Sequence, residues 1–178
     1  MEKQYLFSGF GGQGILFAGK FLAYKGLIEG NEVSWLPSYG PEMRGGTASC
    51  SVVISDKAVA SPIVAKPDVL IAMNLPSLDR FENSVVSGGY IFADSSLIER
   101  KVKRDDVTVY YVPATKLASD NGIPTLANMI LMGKVLSVFG EFDDQNATAA
   151  LKKVVSAKHA DMLDVNLGAL KIGAQYKD

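Results

Sequence analysis

The hydrophobic positions fall into two kinds of run, short unbroken ones and longer ones at helical spacing, and the two alternate along the chain. Gln4 to Ser8 is a short run rich in β-prone Tyr5 and Phe7, which predicts a buried strand. From Ile15 onward, Leu16, Ala18, Gly19, Leu22, Ala23, Gly26 and Leu27 recur at the helical interval, and the small members let that helix lie close to a sheet. Gly30-Asn31 supplies a stop, because both residues tolerate the left-handed conformation at a helix end. Val33-Ser34-Trp35-Leu36 reads as a second strand, and Thr47 to Ser55, alternating and then turning apolar, as a third. Asp56-Lys57 has the composition of a hairpin turn, with Ala58-Val59-Ala60 as a short returning strand. So tight a connection would make that pair antiparallel.

Further along, Lys66-Pro67-Asp68 opens the run Val69-Leu70-Ile71-Ala72-Met73, and Asn74 follows at its end. Pro76 suits the first turn of a helix whose Leu78 and Phe81 face a core. Gly88-Gly89 leads to the strand Tyr90-Ile91-Phe92-Ala93, and Val107 to Val112 is another. The charged run Glu99 to Asp106 between them reads as a solvated surface connection. Residues 115–120 read as a short helix ended by Asn121-Gly122. Pro124-Thr125 opens a stronger helix, apolar nearly all round from Leu126 to Phe139, as expected of one buried on more than one side. Met129 and Met132 are core filler there rather than a cofactor box. Gly140 stops it, Asp143 or Asp144 caps an amphipathic helix through Val155, and residues 160–176 carry a weaker helical pattern. This order predicts an α/β fold: one three-layer, Rossmann-like domain over residues 1–178 with a mixed, mostly parallel sheet.

Composition narrows the partners. A chain of 178 residues suits one α/β domain with a sizeable core. With 18 Lys and Arg against 19 Asp and Glu there is no basic excess to hold a phosphate backbone, so nucleic acid is not an expected partner. The positive mean hydropathy fits either a chain that hides apolar surface in an assembly or a well-packed monomer. Cys50 stands in the apolar run Ala48 to Ile54, where one thiol forms no internal disulfide and holds no iron–sulfur cluster alone. His159 has neither an acidic nor a thiol neighbour and reads as a surface residue, which disfavours a metal site. Met1-Glu2-Lys3-Gln4 leads straight into the first strand with no leader pattern, and no apolar run reaches the roughly 18 residues a membrane helix needs. A cytoplasmic protein without a membrane partner is expected.

The candidate chemistry lies in two loops. Gly9, Gly11 and Gly14 have the G-x-G-x-x-G spacing at a strand-to-helix turn, a geometry that lets backbone approach an anion at a helix start. A dinucleotide site would add an acid at the end of the second strand, where this chain has Leu36-Pro37-Ser38, so an NAD site is not expected. The segment Pro37 to Gly46 is a loop by composition, yet it carries Tyr39, Glu42 and Arg44 on a stiff backbone, as functional loops do.

The runs Gly11-Gly12-Gln13-Gly14-Ile15 and Pro37-Ser38-Tyr39-Gly40-Pro41-Glu42-Met43-Arg44-Gly45-Gly46-Thr47-Ala48, followed by Ala72-Met73-Asn74, occur in order at close spacing. This combination resembles the gamma subunit of the 2-oxoacid:ferredoxin oxidoreductases over nearly the whole chain, and the two loops together are specific where GGQG alone is not. The second loop is more similar to 2-oxoglutarate and branched-chain oxoacid enzymes than to pyruvate enzymes. The resemblance implies a complex that oxidatively decarboxylates a 2-oxoacid, joins the acyl group to coenzyme A and passes two electrons to ferredoxin. It further implies thiamine diphosphate with Mg between alpha and beta subunits, and 4Fe-4S clusters in beta and in a ferredoxin-like delta subunit. The gamma subunit is then expected to pack near the active site and help bind coenzyme A, and to be inactive alone.

On that reading 2-oxoglutarate is the expected substrate, with ketoisovalerate or pyruvate as alternatives inside the family. A stand-alone nucleotide-binding protein and a purely structural adaptor are the alternatives outside it. The candidate site residues are Gly11, Gly12, Gln13, Gly14, Ser38, Tyr39, Arg44, Gly45 and Asn74. The turn amides can hold an anion or a neighbour's carbonyl, with Gln13 bonding at the rim. Arg44 offers a paired contact to phosphate or carboxylate, or locks a subunit interface with Glu42. Gly45-Gly46 lets the second loop run beside the first, and Asn74 either lines the same crevice or caps the helix after it. An interface built for other subunits can also self-associate, leaving the isolated chain open to homodimerisation.

Overall fold

In a computed structural model, residues 1–39, the last as backbone only, and 46–178 are described. β1 (Glu2–Phe10) leads through α1 (Ile15–Ile28) to β2 (Glu32–Tyr39) and β3 (Thr47–Ser55). β4 (Val69–Ala72), α2 (Leu75–Phe81), β5 (Tyr90–Asp94) and β6 (Thr108–Val112) follow, and then the helices α3 (Ala114–Asp120), α4 (Ala127–Val138), α5 (Asp144–Val154) and α6 (Met162–Gln175). The strands form one six-stranded sheet in the order β2-β3-β1-β4-β5-β6. β1, β4, β5 and β6 run parallel, while β3 is antiparallel to both of its neighbours.

The alternation of each strand divides the core. Tyr5, Phe7, Val69, Ile71 and Phe92 face the layer of α1, α3, α4, α5 and α6, while Leu6, Leu70, Ile91 and Ala93 face Leu78 of α2 together with Ile98 and Val102. This is the period-two exchange of faces that a sheet buried on both sides requires. α4 is buried through every position from Ala127 to Leu136, as its all-round apolar sequence predicts. It meets α6 backbone to backbone: a Cβ at Gly133 would collide with the Leu170 carbonyl, and one at Gly173 with the Ile130 carbonyl. No helix among the described residues is long and apolar enough to cross a membrane.

Three expectations need correction. The mixed character of the sheet comes from β3 pairing with β1 and β2, because residues 58–60 form no strand. The loop expected from Pro37 starts later, since β2 continues through Tyr39; Pro37 is tolerated there because β2 is an edge strand, where a missing N–H need not break the ladder. The charged run Glu99 to Asp106 is not freely solvated. Arg100 Nη2 donates to Asp79 and to the buried Glu82, both at 2.5 Å, and Glu82 also accepts from the Lys103 amide at 2.6 Å. A carboxylate so deep in the surface is tolerated only because it is paired and hydrogen-bonded.

The glycine contacts generate a pair of opposed outcomes. Gly133→Ala and Gly173→Ala are each expected to cost about 3 kcal/mol by forcing α4 and α6 apart. Gly168→Ala, on α6 with open space around its Cβ position, is expected to gain about 0.5–1 kcal/mol of helix propensity. Thermal unfolding followed by circular dichroism should therefore fall by roughly 6–12 °C in the first two and rise slightly in the third; equal melting in all three would contradict the packing.

Candidate functional site

The connections place a crevice at one end of the sheet. α1 leaves β1 on the face of Tyr5 and Phe7, whereas α2 leaves β4 on the face of Leu6 and Leu70. The carboxyl ends of β1 and β4 therefore send their chains to opposite faces, and between such strands open α/β sheets bind ligands. The glycine turn and Asn74 meet at this point.

Gln13 spans it. Its Oε1 accepts from the Phe10 amide at 2.6 Å, and its Nε2 donates to the Met73 carbonyl at 3.0 Å. Both ends of the carboxamide are thus committed to backbone, and Gln13 ties the last residue of β1 to the end of β4 instead of standing free at a rim. Gly9 is small because a Cβ there would lie 2.6 Å from that same Oε1. The Gly11 amide donates to the Gly46 carbonyl at 3.2 Å, so the residue just before β3 lies against the glycine turn, and the Gln13 amide donates to the Phe10 carbonyl at 3.2 Å.

Gly14 takes φ +74° as the N-cap of α1, a conformation that an L side chain rarely adopts. No side chain caps this helix, which leaves its first-turn amides and their positive end of the dipole for an external acceptor. The Gly14 carbonyl accepts from Asn128 Nδ2 at 3.0 Å. Asn128 was not among the expected residues; a lone carboxamide in the first turn of an otherwise apolar, buried helix was the signal for it.

For Asn74 the structure gives the capping role: Oδ1 accepts from the Ser77 amide at 2.8 Å at the start of α2. Its Nδ2 is nonetheless buried with no partner, in a residue only 1% exposed. Beneath it, Ser8 Oγ donates to Ser77 Oγ at 2.8 Å. An unpaired buried donor costs about 1–3 kcal/mol, which an incoming carbonyl, carboxylate or phosphate oxygen would recover. Exposed Phe10 and Leu75 stand at the two strand ends and give the crevice an apolar rim.

The structure therefore gathers Gly11, Gly12, Gln13, Gly14 and Asn74. Ser38 is separate: it pairs with Ser49 of β3, which pairs with Ser8 of β1, so two strand spacings, about 10 Å, divide it from β1. Arg44, Gly45 and Glu42 lie outside the described residues, as does the side chain of Tyr39. A dinucleotide meets a second obstacle here, because the neighbour of β1 on the glycine-turn side is antiparallel β3, not the parallel strand whose end would face the ribose. For a metal, the described residues hold no group of three His, Cys, Asp or Glu side chains. Burial pushes the Cys50 thiol up to about 12, the wrong direction for a thiolate ligand.

Residues 4–176 match the family described as pyruvate ferredoxin/flavodoxin oxidoreductase. The ketoisovalerate oxidoreductase subunit VorA of Methanothermobacter thermautotrophicus is 40% identical over 98% of this chain, which spans 36% of that relative's length. The 2-oxoglutarate synthase subunit KorC of Methanocaldococcus jannaschii is 38% identical over 75% of this chain and 73% of its own. Among solved structures, the gamma subunit of a keto/oxoacid ferredoxin oxidoreductase from Geobacter sulfurreducens superposes with a TM-score of 0.81 at 26% identity, covering 97% of this chain and 96% of that one.

The Gln13 bridge yields a signed pH dependence. In Gln13→Glu one oxygen still accepts from Phe10, but the other faces the Met73 carbonyl, so the folded-state carboxyl is expected to titrate above its unfolded value of about 4.3. Stability is then greatest below that value and is lost as pH rises through the folded one. Urea unfolding should show a deficit of about 1–3 kcal/mol at pH 7 that shrinks near pH 4; a deficit independent of pH would mean the Met73 bond is dispensable.

Proposed function

The chain belongs to the pyruvate ferredoxin/flavodoxin oxidoreductase family, and we propose that it is the gamma subunit of a 2-oxoacid:ferredoxin oxidoreductase acting on 2-oxoglutarate. The observation that carries this reading is the match to a gamma subunit over 97% of this chain and 96% of that one. The KorC relative supports 2-oxoglutarate by being matched over most of its own length. In the proposed reaction 2-oxoglutarate loses CO2, its acyl carbon bonds to the coenzyme A sulfur, and two electrons reduce two ferredoxins, giving succinyl-CoA and a proton. Thiamine diphosphate with Mg and the 4Fe-4S clusters would be held by alpha, beta and delta subunits.

The role of this chain is then to line coenzyme A or a neighbouring subunit. The uncapped start of α1 and the unpaired Asn74 Nδ2 offer hydrogen-bond donors to phosphate or amide oxygens. Gly11, Gly12 and Gly14 give that acceptor close backbone approach, and Gln13 fixes the turn behind them. Arg44 and Gly45, with Ser38 and Tyr39 leading into their loop, complete the proposed contact surface. The exposed Phe10 and Leu75 suit an apolar contact from a partner chain. A second reading, a ketoisovalerate enzyme, is favoured by the 40% identity to VorA.

Purifying the tagged chain from its native host with its partners tests both. The complex should reduce ferredoxin with 2-oxoglutarate and coenzyme A at least about tenfold faster than with ketoisovalerate or pyruvate, a discrimination of about 1.4 kcal/mol. Preference for ketoisovalerate would select the second reading, and a chain that copurifies with no such subunits would end both. In the same complex Asn74→Asp keeps the cap but removes the free donor. It should raise KM for coenzyme A about tenfold while assembly and the α2 cap persist.

A further inference from the structure

Asn128 stands in the first turn of α4, 4% exposed, and is followed there by the buried apolar run Met129 to Met132. A carboxamide so close to a helix start ordinarily serves that helix's own orphan amides. This one does not, and no side chain caps α4. Its Nδ2 instead reaches a residue 114 positions away in sequence, donating to the Gly14 carbonyl at 3.0 Å. A carbonyl partner requires the NH2 end of the carboxamide, so the oxygen is the atom left over. Asn128 Oδ1 is accordingly buried with no partner. An acceptor stranded in that way disfavours folding, and an apolar side chain of similar shape would avoid it. Stability alone would place leucine at this position.

What the bond supplies is geometry. The Gly14 carbonyl already accepts from the Ala18 amide at 3.0 Å, the first bond of α1, so Asn128 is its second donor. The peptide unit joining Gly14 to Ile15 is planar and trans, and its N–H points opposite to its carbonyl. Holding the Gly14 oxygen therefore aims the Ile15 amide, one of the orphan donors at the start of α1. Gly14 itself has φ +74°, and a Cβ on it would collide with Asn128 Nδ2. Glycine is thus required both by the backbone conformation and by the approach of Asn128. Gln13 fixes the same turn from the sheet side, and Asn128 fixes it from the helical layer.

We propose that Asn128 is a positioning residue for coenzyme A. It touches no part of the ligand and aims the Ile15 amide at a phosphate or amide oxygen of the bound coenzyme. This rests on the reading of the α1 start and Asn74 as a contact for coenzyme A. α4 is a firm mount for the task, because Gly133 and Gly173 bring its backbone against that of α6. A side chain kept for aim and not for stability predicts that one substitution weakens coenzyme binding without weakening the fold.

Asn128→Leu, assayed in the purified complex with its preferred 2-oxoacid and ferredoxin, tests this. KM for coenzyme A should rise about three- to tenfold while turnover at saturation changes by less than about twofold, the pattern of lost binding without lost chemistry. KM for the 2-oxoacid should not move. The full chain carrying Asn128→Leu should melt at or above the wild-type temperature, because the stranded oxygen is gone. An unchanged KM for coenzyme A overturns the proposal whatever the melting temperature, and so does an equal rise in both KM values. Asn74→Asp, measured alongside, separates the two levels. If it raises KM for coenzyme A and Asn128→Leu does not, only the positioning role fails; if neither raises it, the coenzyme A contact fails as well. Should Asn128→Leu not assemble, Asn128→Ala removes the same bond and carries the same expectation for both KM values.

Discussion

One carboxamide holds together the end of the sheet where the chain divides. β1 and β4 are neighbours in the sheet but send their continuations to opposite faces; the Met73 amide on the Ser8 carbonyl and Ser8 Oγ on Ser77 of α2 join them behind the turn. Gln13 joins them at the turn itself, accepting from Phe10 and donating to Met73. The glycine turn, the start of α1 and the Asn74 cap are all positioned relative to that bridge. The side chain expected to greet a ligand instead fixes the frame in which other groups can.

The helical layer obeys a different constraint. From Ala127 to Leu136 α4 has no solvent face, so the polar groups there must find partners inside the protein. Lys134 does so through the Tyr176 carbonyl at 3.0 Å, and Asn128 does so by half, through its NH2 alone. Close approach of α6 through Gly133 and Gly173 leaves no slack for α4 to rotate and relieve the remaining half. The unpaired Asn128 Oδ1 therefore stays where that packing holds it.

Much of this was legible in the sequence. The strands Tyr90 to Ala93 and Val69 to Met73, the glycine-loop helix and the buried α4 announced themselves by period and by breakers, because local spacing alone decides them. The meeting of the glycine turn with Gly46 and with Asn74 was legible as well, through loop order and strand ends. What was not legible required pairing across distance. The alternation in β2 and β3 does not reveal that β3 wedges antiparallel beside β1, and the tight-turn composition at Asp56-Lys57 suggested a strand that never forms. The run Glu99 to Asp106 looked solvated because charge composition carries no record of Glu82, folded beneath it from 17 residues upstream of Glu99. Asn128 was hidden for a related reason: its partner carbonyl belongs to Gly14, a residue far away in sequence.

The antiparallel placement of β3 has an evolutionary consequence. Because β2 runs in the direction of β1 and β3 returns, the chain between them begins and ends at the sheet edge that carries the glycine turn. Its two anchors, Tyr39 opposite Ala48 and Gly46 against Gly11, are fixed by sheet pairing and by a backbone bond. A connection with both ends so held can be lengthened or rewritten cheaply, since doubling a flexible loop adds only about 0.6 kcal/mol of closure entropy. The sheet thus separates what must stay constant from what is free to vary, and a lineage could rewrite the connection without disturbing the turn beside it.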